Sequence, residues 1–224
     1  MDRIVEEAIH KIQELESNVP DGKHIVTGDI RKLSSALFRQ VNDKSIENVF
    51  SLCEELLDRH TWALGVIAYD FAYRVRNQYD ASTYDFFFRW LKDYVRGWGD
   101  CDDFCTHAFG ELLRQNKSLF PKILTWTEDR DFWVRRASAV ILIPSIMKHD
   151  YDGIHPLEIS DRLMEDDHDL VLKGYGWMLK ALSQTDPHCV EEYLIANHGR
   201  MPRVAYRYAL EKFDAETRKK LMIL

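Results

Sequence analysis

The feature that most constrains this chain is a recurrence of apolar side chains every three to four residues, renewed from one end to the other. Over residues 2–17, Ile4, Val5, Ala8, Ile9, Ile12 and Leu15 fall on one face of a helix. A half-buried strand would need strict alternation, and no stretch alternates. Helix breakers are scarce as well, with 10 Gly and 6 Pro in 224 residues. The same periodicity predicts helices over 28–41 (with Leu33, Ala36, Leu37 and Val41), 45–58, 61–76, 82–96, 101–115, 118–126, 131–147, 156–165, 168–184, 187–196, 202–212 and 214–222. Pro20-Asp21-Gly22 breaks the first from the second. Helices of this length with brief polar connections pack as antiparallel pairs, in an α-solenoid of HEAT-like repeats or in a compact bundle. No sequence repeat of fixed period and no Pro-, Gly- or Ser-rich linker divides them, so the chain reads as one all-α domain over 1–224.

One helix stands out, in the stretch Trp126 to Ile143. Asp131 occupies an N-cap position. Beyond it Phe132, Trp133, Val134, Ala137 and Ala139 to Ile143 are apolar on more than one face, which predicts burial on most sides. Yet Arg135 and Arg136 lie side by side at its start, against the positive end of the helix dipole. They need an anionic partner: internal carboxylates such as Asp100, Asp102 or Asp103, or the phosphates of a ligand.

Charge bounds the choice of partner. With 30 Lys and Arg against 37 Asp and Glu the net charge is −7, which on average argues against nucleic acid. The distribution is uneven, however. Acid gathers at Glu165-Asp166-Asp167 and Glu191-Glu192, and base at Arg135-Arg136, Arg200 to Arg207 and Arg218-Lys219-Lys220, so a basic face can coexist with an acidic back. No segment approaches the roughly 18 apolar residues of a membrane span, and Met1-Asp-Arg-Ile-Val-Glu-Glu lacks a signal-peptide core. Cys53, Cys101, Cys105 and Cys189 form no CxxC pair, as expected of reduced thiols in a cytoplasm. There is no GxSxG, GxxxxGK[ST] or GxGxxG. Asp103 and His107 share a helix face at i, i+4, but structural zinc sites draw on two separated ligand pairs and no second cluster exists. We expect neither a metal nor a cofactor.

Three segments carry a family resemblance: Trp98-Gly-Asp-Cys-Asp-Asp103-Phe-Cys-Thr-His-Ala-Phe-Gly110; Trp126 with Phe132-Trp-Val-Arg-Arg-Ala137; and Asp169-Leu-Val-Leu-Lys173-Gly-Tyr-Gly-Trp177-Met-Leu-Lys180, continued by Met201-Pro-Arg203-Val-Ala-Tyr-Arg207. In this order and spacing they resemble the DNA alkylation repair family, the AlkD-type glycosylases built from HEAT-like repeats. A weaker likeness extends back to Ile30-Arg31-Lys32-Leu33. The resemblance implies an α–α superhelix that holds duplex DNA in a basic concave groove, and hydrolysis of the N-glycosidic bond of cationic N3- or N7-alkylated purines in base excision. By motif position it assigns the catalytic aspartate to Asp103, one tryptophan to Trp177 and an arginine to Arg136, next to Trp133. The other tryptophan of active members falls on Gly99, a departure from the pattern. Trp98 is adjacent, but one residue is about 100° round a helix. The resemblance also implies a lesion that stays stacked, unlike the general rule of base extrusion.

These residue types suit that chemistry. An N-alkylated purine is already cationic, so its departure needs little acid catalysis, and a carboxylate can stabilise the oxocarbenium character left on the sugar. Aromatic faces attract cations by about 0.5–2 kcal/mol each. Trp177 and Trp98 are the candidate walls of the site around Asp103; Arg135, Arg136, Lys173, Arg203 and Arg207 are the candidate phosphate contacts, with Trp133 a further DNA-binding candidate and Arg203 and Arg207 at i, i+4 on one face. Each position also has a purely structural reading. Asp103 can be an N-cap or first-turn acid, Trp177 a core residue beside the space left by Gly174 and Gly176, the paired arginines members of internal salt bridges, and the Arg203–Arg207 face merely solvated. Two further functions stay open: a non-catalytic relative that binds branched or bent DNA, and a helical-repeat scaffold for another protein. The expected partner is alkylated or distorted double-stranded DNA, with no membrane, for a monomer that is cytoplasmic and nucleoid-associated when on DNA.

Overall fold

A computed structural model describes residues 2–20 and 22–224. Met1 and Asp21, the latter in the predicted Pro20–Gly22 break, lie outside the described residues. Among the described residues there is no strand, and no helix is long and apolar enough to cross a membrane. The chain divides into two compact units, Met1–Ala108 and Phe109–Leu224.

The first unit holds α1 (Arg3–Ser17), α2 (Thr27–Gln40), α3 (Ile46–Leu57), α4 (Trp62–Arg74), α5 (Thr83–Tyr94) and α6 (Trp98–Thr106). Its axis is α4, buried without interruption from Ala63 to Ala72 and packed against α1, α2, α3 and α6. A helix that is apolar all round can only sit inside. The outer helices are one-sided. On α1 the inward stripe is Ile4, Val5, Ala8 and Ile12, and the Asp2 carboxylate caps its start by accepting from the Ile4 N–H at 2.7 Å. Phe50, Phe87, Trp90 and Phe104 form an aromatic cluster at centroid separations of 5.1–6.2 Å.

The boundary falls inside α7 (Ala108–Gln115). The second unit continues with α8 (Phe120–Thr125), α9 (Phe132–Val140), α10 (Ile143–Met147), α11 (Pro156–Leu163), α12 (Asp169–Thr185), α13 (Pro187–Asn197), α14 (Arg203–Ala209) and α15 (Ala215–Met222). Here α12 is the organiser, packed against α9, α10, α11, α13 and α14. The Trp126–Ile143 stretch is one of its neighbours. Burial from Arg136 to Ile143 follows the expectation, as does the Asp131 cap, which accepts from the Trp133 N–H at 2.9 Å.

Three predicted helices differ in more than their last turn. The segment 101–115 is two helices divided at His107, where φ −121° and ψ −97° leave the helical region and the N–H reaches back only to Phe104. Residues 131–147 divide between α9 and α10, because Pro144 has no N–H to continue the ladder. Of 118–126 only Phe120–Thr125 is α-helical, between 3₁₀ turns at Lys117–Leu119 and Trp126–Glu128.

Candidate functional site

In the first unit α4 and α6 run parallel, since the contacts between them advance together along both. A Cβ on Gly99 would meet the Trp62 indole, 3.0 Å from Nε1 and 3.2 Å from Cδ1, and one on Gly65 would lie 3.9 Å from Asp100. Farther along, Tyr69 stacks on Phe104 at 4.4 Å and Tyr73 on His107 at 4.0 Å. At the Trp62 end a cavity of about 630 Å³ opens, within the range of ligand pockets. Trp62, Gly97 to Asp100, Asp102, Asp103 and Thr106 line it, together with His24, Ile25 and Thr27 ahead of and at the start of α2. Trp98 is 64% exposed at this site.

Asp103 presents a carboxylate of two unlike oxygens. Oδ1 accepts from Arg31 Nη2 at 2.7 Å, whereas Oδ2 is buried with no hydrogen-bond partner. The side chain is only 11% exposed. Burial pushes the Asp103 carboxyl above the ordinary carboxylate range, against the opposing charges of Arg31 and His107. Arg31 also reaches Asp70 Oδ1 at 3.3 Å and lies 2.7 Å from His107 Nε2, itself 3.2 Å from Asp70 Oδ1. On the other oxygen Asp70 accepts from Ser34 Oγ at 2.6 Å and Arg74 Nε at 2.7 Å. Burial alone would raise the Asp70 carboxyl as well; hydrogen bonds from His107, Ser34 and Arg74 outweigh it and bring it to about 2. Arg31 therefore joins a saturated, firmly ionised carboxylate to that of a cavity-lining residue whose second oxygen is buried and unpartnered. Asp100, on the same cavity, is also raised by burial and accepts from the Arg96 N–H at 3.2 Å. Asp103 lies in the middle of α6, so it is neither an N-cap nor a first-turn acid.

The remaining predicted residues lie in the second unit. Arg135 is engaged internally, donating to Asp166 at 2.6 Å and to the Asp129 carbonyl at 2.9 Å, so the carboxylate it needs is Asp166. Arg136 is buried and donates to the Leu170 carbonyl. Neither guanidinium stands as an open phosphate contact. The space expected beside Trp177 is filled. A Cβ on Gly174 would come within 3.1 Å of Arg136 Cγ, and one on Gly176 within 2.8 Å of the Ala205 carbonyl oxygen. These glycines admit a side chain and a neighbouring helix, and Trp177 itself is half-buried. Trp133 is half-buried, with Phe132 4.4 Å away and Phe132 stacked on His168 at 3.7 Å. Lys173 pairs with Asp169 at 2.5 Å. Arg203 and Arg207 are both exposed on α14; Arg203 donates to the Met222 carbonyl at 3.3 Å, while Arg207 makes no ion pair or hydrogen bond among the described residues.

The sequence model of the DNA alkylation repair enzyme family matches residues 24–213. This chain belongs to the DNA alkylation repair family. A solved structure described as a predicted DNA alkylation repair enzyme from Enterococcus faecalis superposes with a TM-score of 0.68 at 18% identity, over 93% of this chain and 96% of that one. That likeness carries the fold: an all-α superhelix of HEAT-like repeats, as expected from the helical pattern. Curated proteins compared with the chain give no match. For a member of the DNA alkylation repair family, three residues of the cavity region went unassigned in the sequence. Asp70 had a signal, as a lone acid inside an apolar run with Arg74 at i+4. Arg31 lay inside a resembling segment without a role. Trp62 had none, because its place opposite Gly99 exists only once α4 and α6 are packed.

Proposed function

We propose that this member of the DNA alkylation repair family is a glycosylase that hydrolyses the N-glycosidic bond of cationic, N-alkylated purines in duplex DNA. The observation that carries this reading is the Asp103 carboxylate, buried at a tryptophan-bordered cavity with Oδ2 unpartnered. In the reaction the C–N bond breaks with its electron pair going to the base, which leaves neutral because it began with a positive charge. The sugar acquires oxocarbenium character, and a water adds to its anomeric carbon and loses a proton. An anion in a site poor in water attracts that developing charge far more than it would in bulk solvent. Arg31 fixes the carboxylate through Oδ1 and leaves Oδ2 for the reacting centre. Asp70 keeps Arg31 in place, so the two carboxylates divide the work of anchoring and of stabilising charge.

Trp177 on α12 is the indole that the resemblance assigns, and Trp98, next to the departure at Gly99, is the second candidate wall, at the cavity. Arg203 and Arg207 are the proposed phosphate contacts, being exposed one turn apart on α14. Lys173 can join them by exchanging Asp169 for a phosphate.

The test is release of free base from methylated duplex DNA by the wild type and by Asp103→Asn. Release that collapses in the variant is the expected result. Salt-dependent DNA binding without release would leave a binding-only relative, and absence of both would leave the protein-scaffold reading.

A further inference from the structure

The geometry points to Trp62 as the residue that, with Asp103, recognises a delocalised cation at this cavity. This rests on the reading of the site given above and names a specificity determinant for it. Trp62 is the first residue of α4, half-buried, and its indole edge lies against Gly99 at the distance where a side chain would otherwise begin. Gly99 and Asp103 are i, i+4 on α6 and hence neighbours on one face. The indole therefore lies against the α6 position one helical turn before Asp103. Its Nε1–H has no hydrogen-bond partner among the described residues, so none of their polar groups accounts for its placement. Trp62 also borders a second cavity of about 410 Å³, with Glu16, Val19 and Lys23. An electron-rich ring face and a desolvated carboxylate select a flat or ring-borne positive charge over a neutral isostere. Glycine at 99 is then the condition for this arrangement, because a methyl group there would press on the indole at 3.0 Å.

Two cations can answer this description, the alkylated purine and the sugar cation formed as it leaves. Duplexes carrying a pyrrolidine abasic analogue (cationic sugar) or a tetrahydrofuran one (neutral sugar) measure the second; 7-methylguanosine against guanosine measures the first. The wild type should prefer the cationic member of at least one pair. Trp62→Ala should reduce that preference by about 2- to 30-fold, the range of one cation–π contact, with Trp62→Phe in between. Gly99→Ala, which displaces the ring without removing it, should move the ratio the same way. If Trp62→Ala does not fold by thermal unfolding, Trp62→Phe and Gly99→Ala decide. Returning an indole from the other helix, in Trp62→Ala with Gly99→Trp, should recover part of the preference. Wild type without a cation preference, or variants that keep it, would overturn the assignment. Base release is measured in parallel: a cation preference that depends on Trp62 but comes with no release would refute the glycosylase reading and support the role of Trp62. Release that is indifferent to Trp62 would do the reverse.

Discussion

Gly176→Ala should destabilise the second unit, although alanine is the better helix former. On an exposed helix the exchange gains about 1 kcal/mol. Here the new Cβ would sit 2.8 Å from the Ala205 carbonyl oxygen, 2.9 Å from Tyr208 Cβ and 3.0 Å from Ala205 Cα, against the 3.4 Å at which ordinary contact begins. Two of those atoms are backbone, so α14 as a whole must retreat from α12 by about half an ångström. Overpacking costs about 1–3 kcal/mol, and with backbone atoms in the way the upper half of that range applies, leaving a net loss of about 1–2 kcal/mol. For a chain of this length each kcal/mol lowers Tm by about 2–4 °C. Thermal unfolding of Gly176→Ala should therefore show a midpoint several degrees below wild type. Gly28→Ala is the control: nothing lies within 4 Å of the added methyl, and its midpoint should hold or rise. Gly174→Ala meets Arg136 side-chain atoms, which can shift, and should cost less than Gly176→Ala. A Gly176→Ala midpoint at or above wild type would refute close approach of α12 and α14 as the reason for this glycine. It would restore the idea of open space beside Trp177.

Other expected outcomes follow from the charged groups. Asp103→Asn should lose base release yet match or exceed wild-type stability at neutral pH. A carboxyl raised by burial lets the folded state bind more protons, so ionised Asp103 costs stability as pH rises from the unfolded value of 3.8 through its folded value, and Asn removes that cost. Urea midpoints measured across this pH window check the sign, and base release by wild type should fall off in acid at a pH above 3.8. Asp70→Asn should do the opposite. Its folded value of about 2 gives stability that is present above pH 3.8 and lost as pH falls towards 2, on the order of 2 kcal/mol for a side chain 6% exposed. An Asp70→Asn protein as stable as wild type at pH 7 would remove the anchoring role. Arg135→Met should cost about 3 kcal/mol by leaving the Asp166 carboxylate, 6% exposed, with only the His168 N–H, while the salt slope of DNA binding stays unchanged. Arg207→Ala should leave stability unchanged and reduce that slope by about one phosphate contact.

The sequence by itself determined the fold class, because helical periodicity with few breakers leaves the chain no other way to bury its apolar residues. It also determined the candidate aspartate, since the order of motifs around Trp98–Gly110 survives without knowledge of packing. Only the tertiary structure decided what surrounds that aspartate. Asp70, Arg31 and His107 come from three separate helical segments, and no local spacing records that they meet. Arg135 and Arg136 look like ligand contacts in the sequence because unpaired cations at a helix start need anions; the fold supplies Asp166 and a carbonyl from residues more than thirty positions away. Gly99 and Gly176 are equally bare in the sequence. One faces an indole and the other a backbone, and which of these a missing side chain makes room for is a property of helix packing alone.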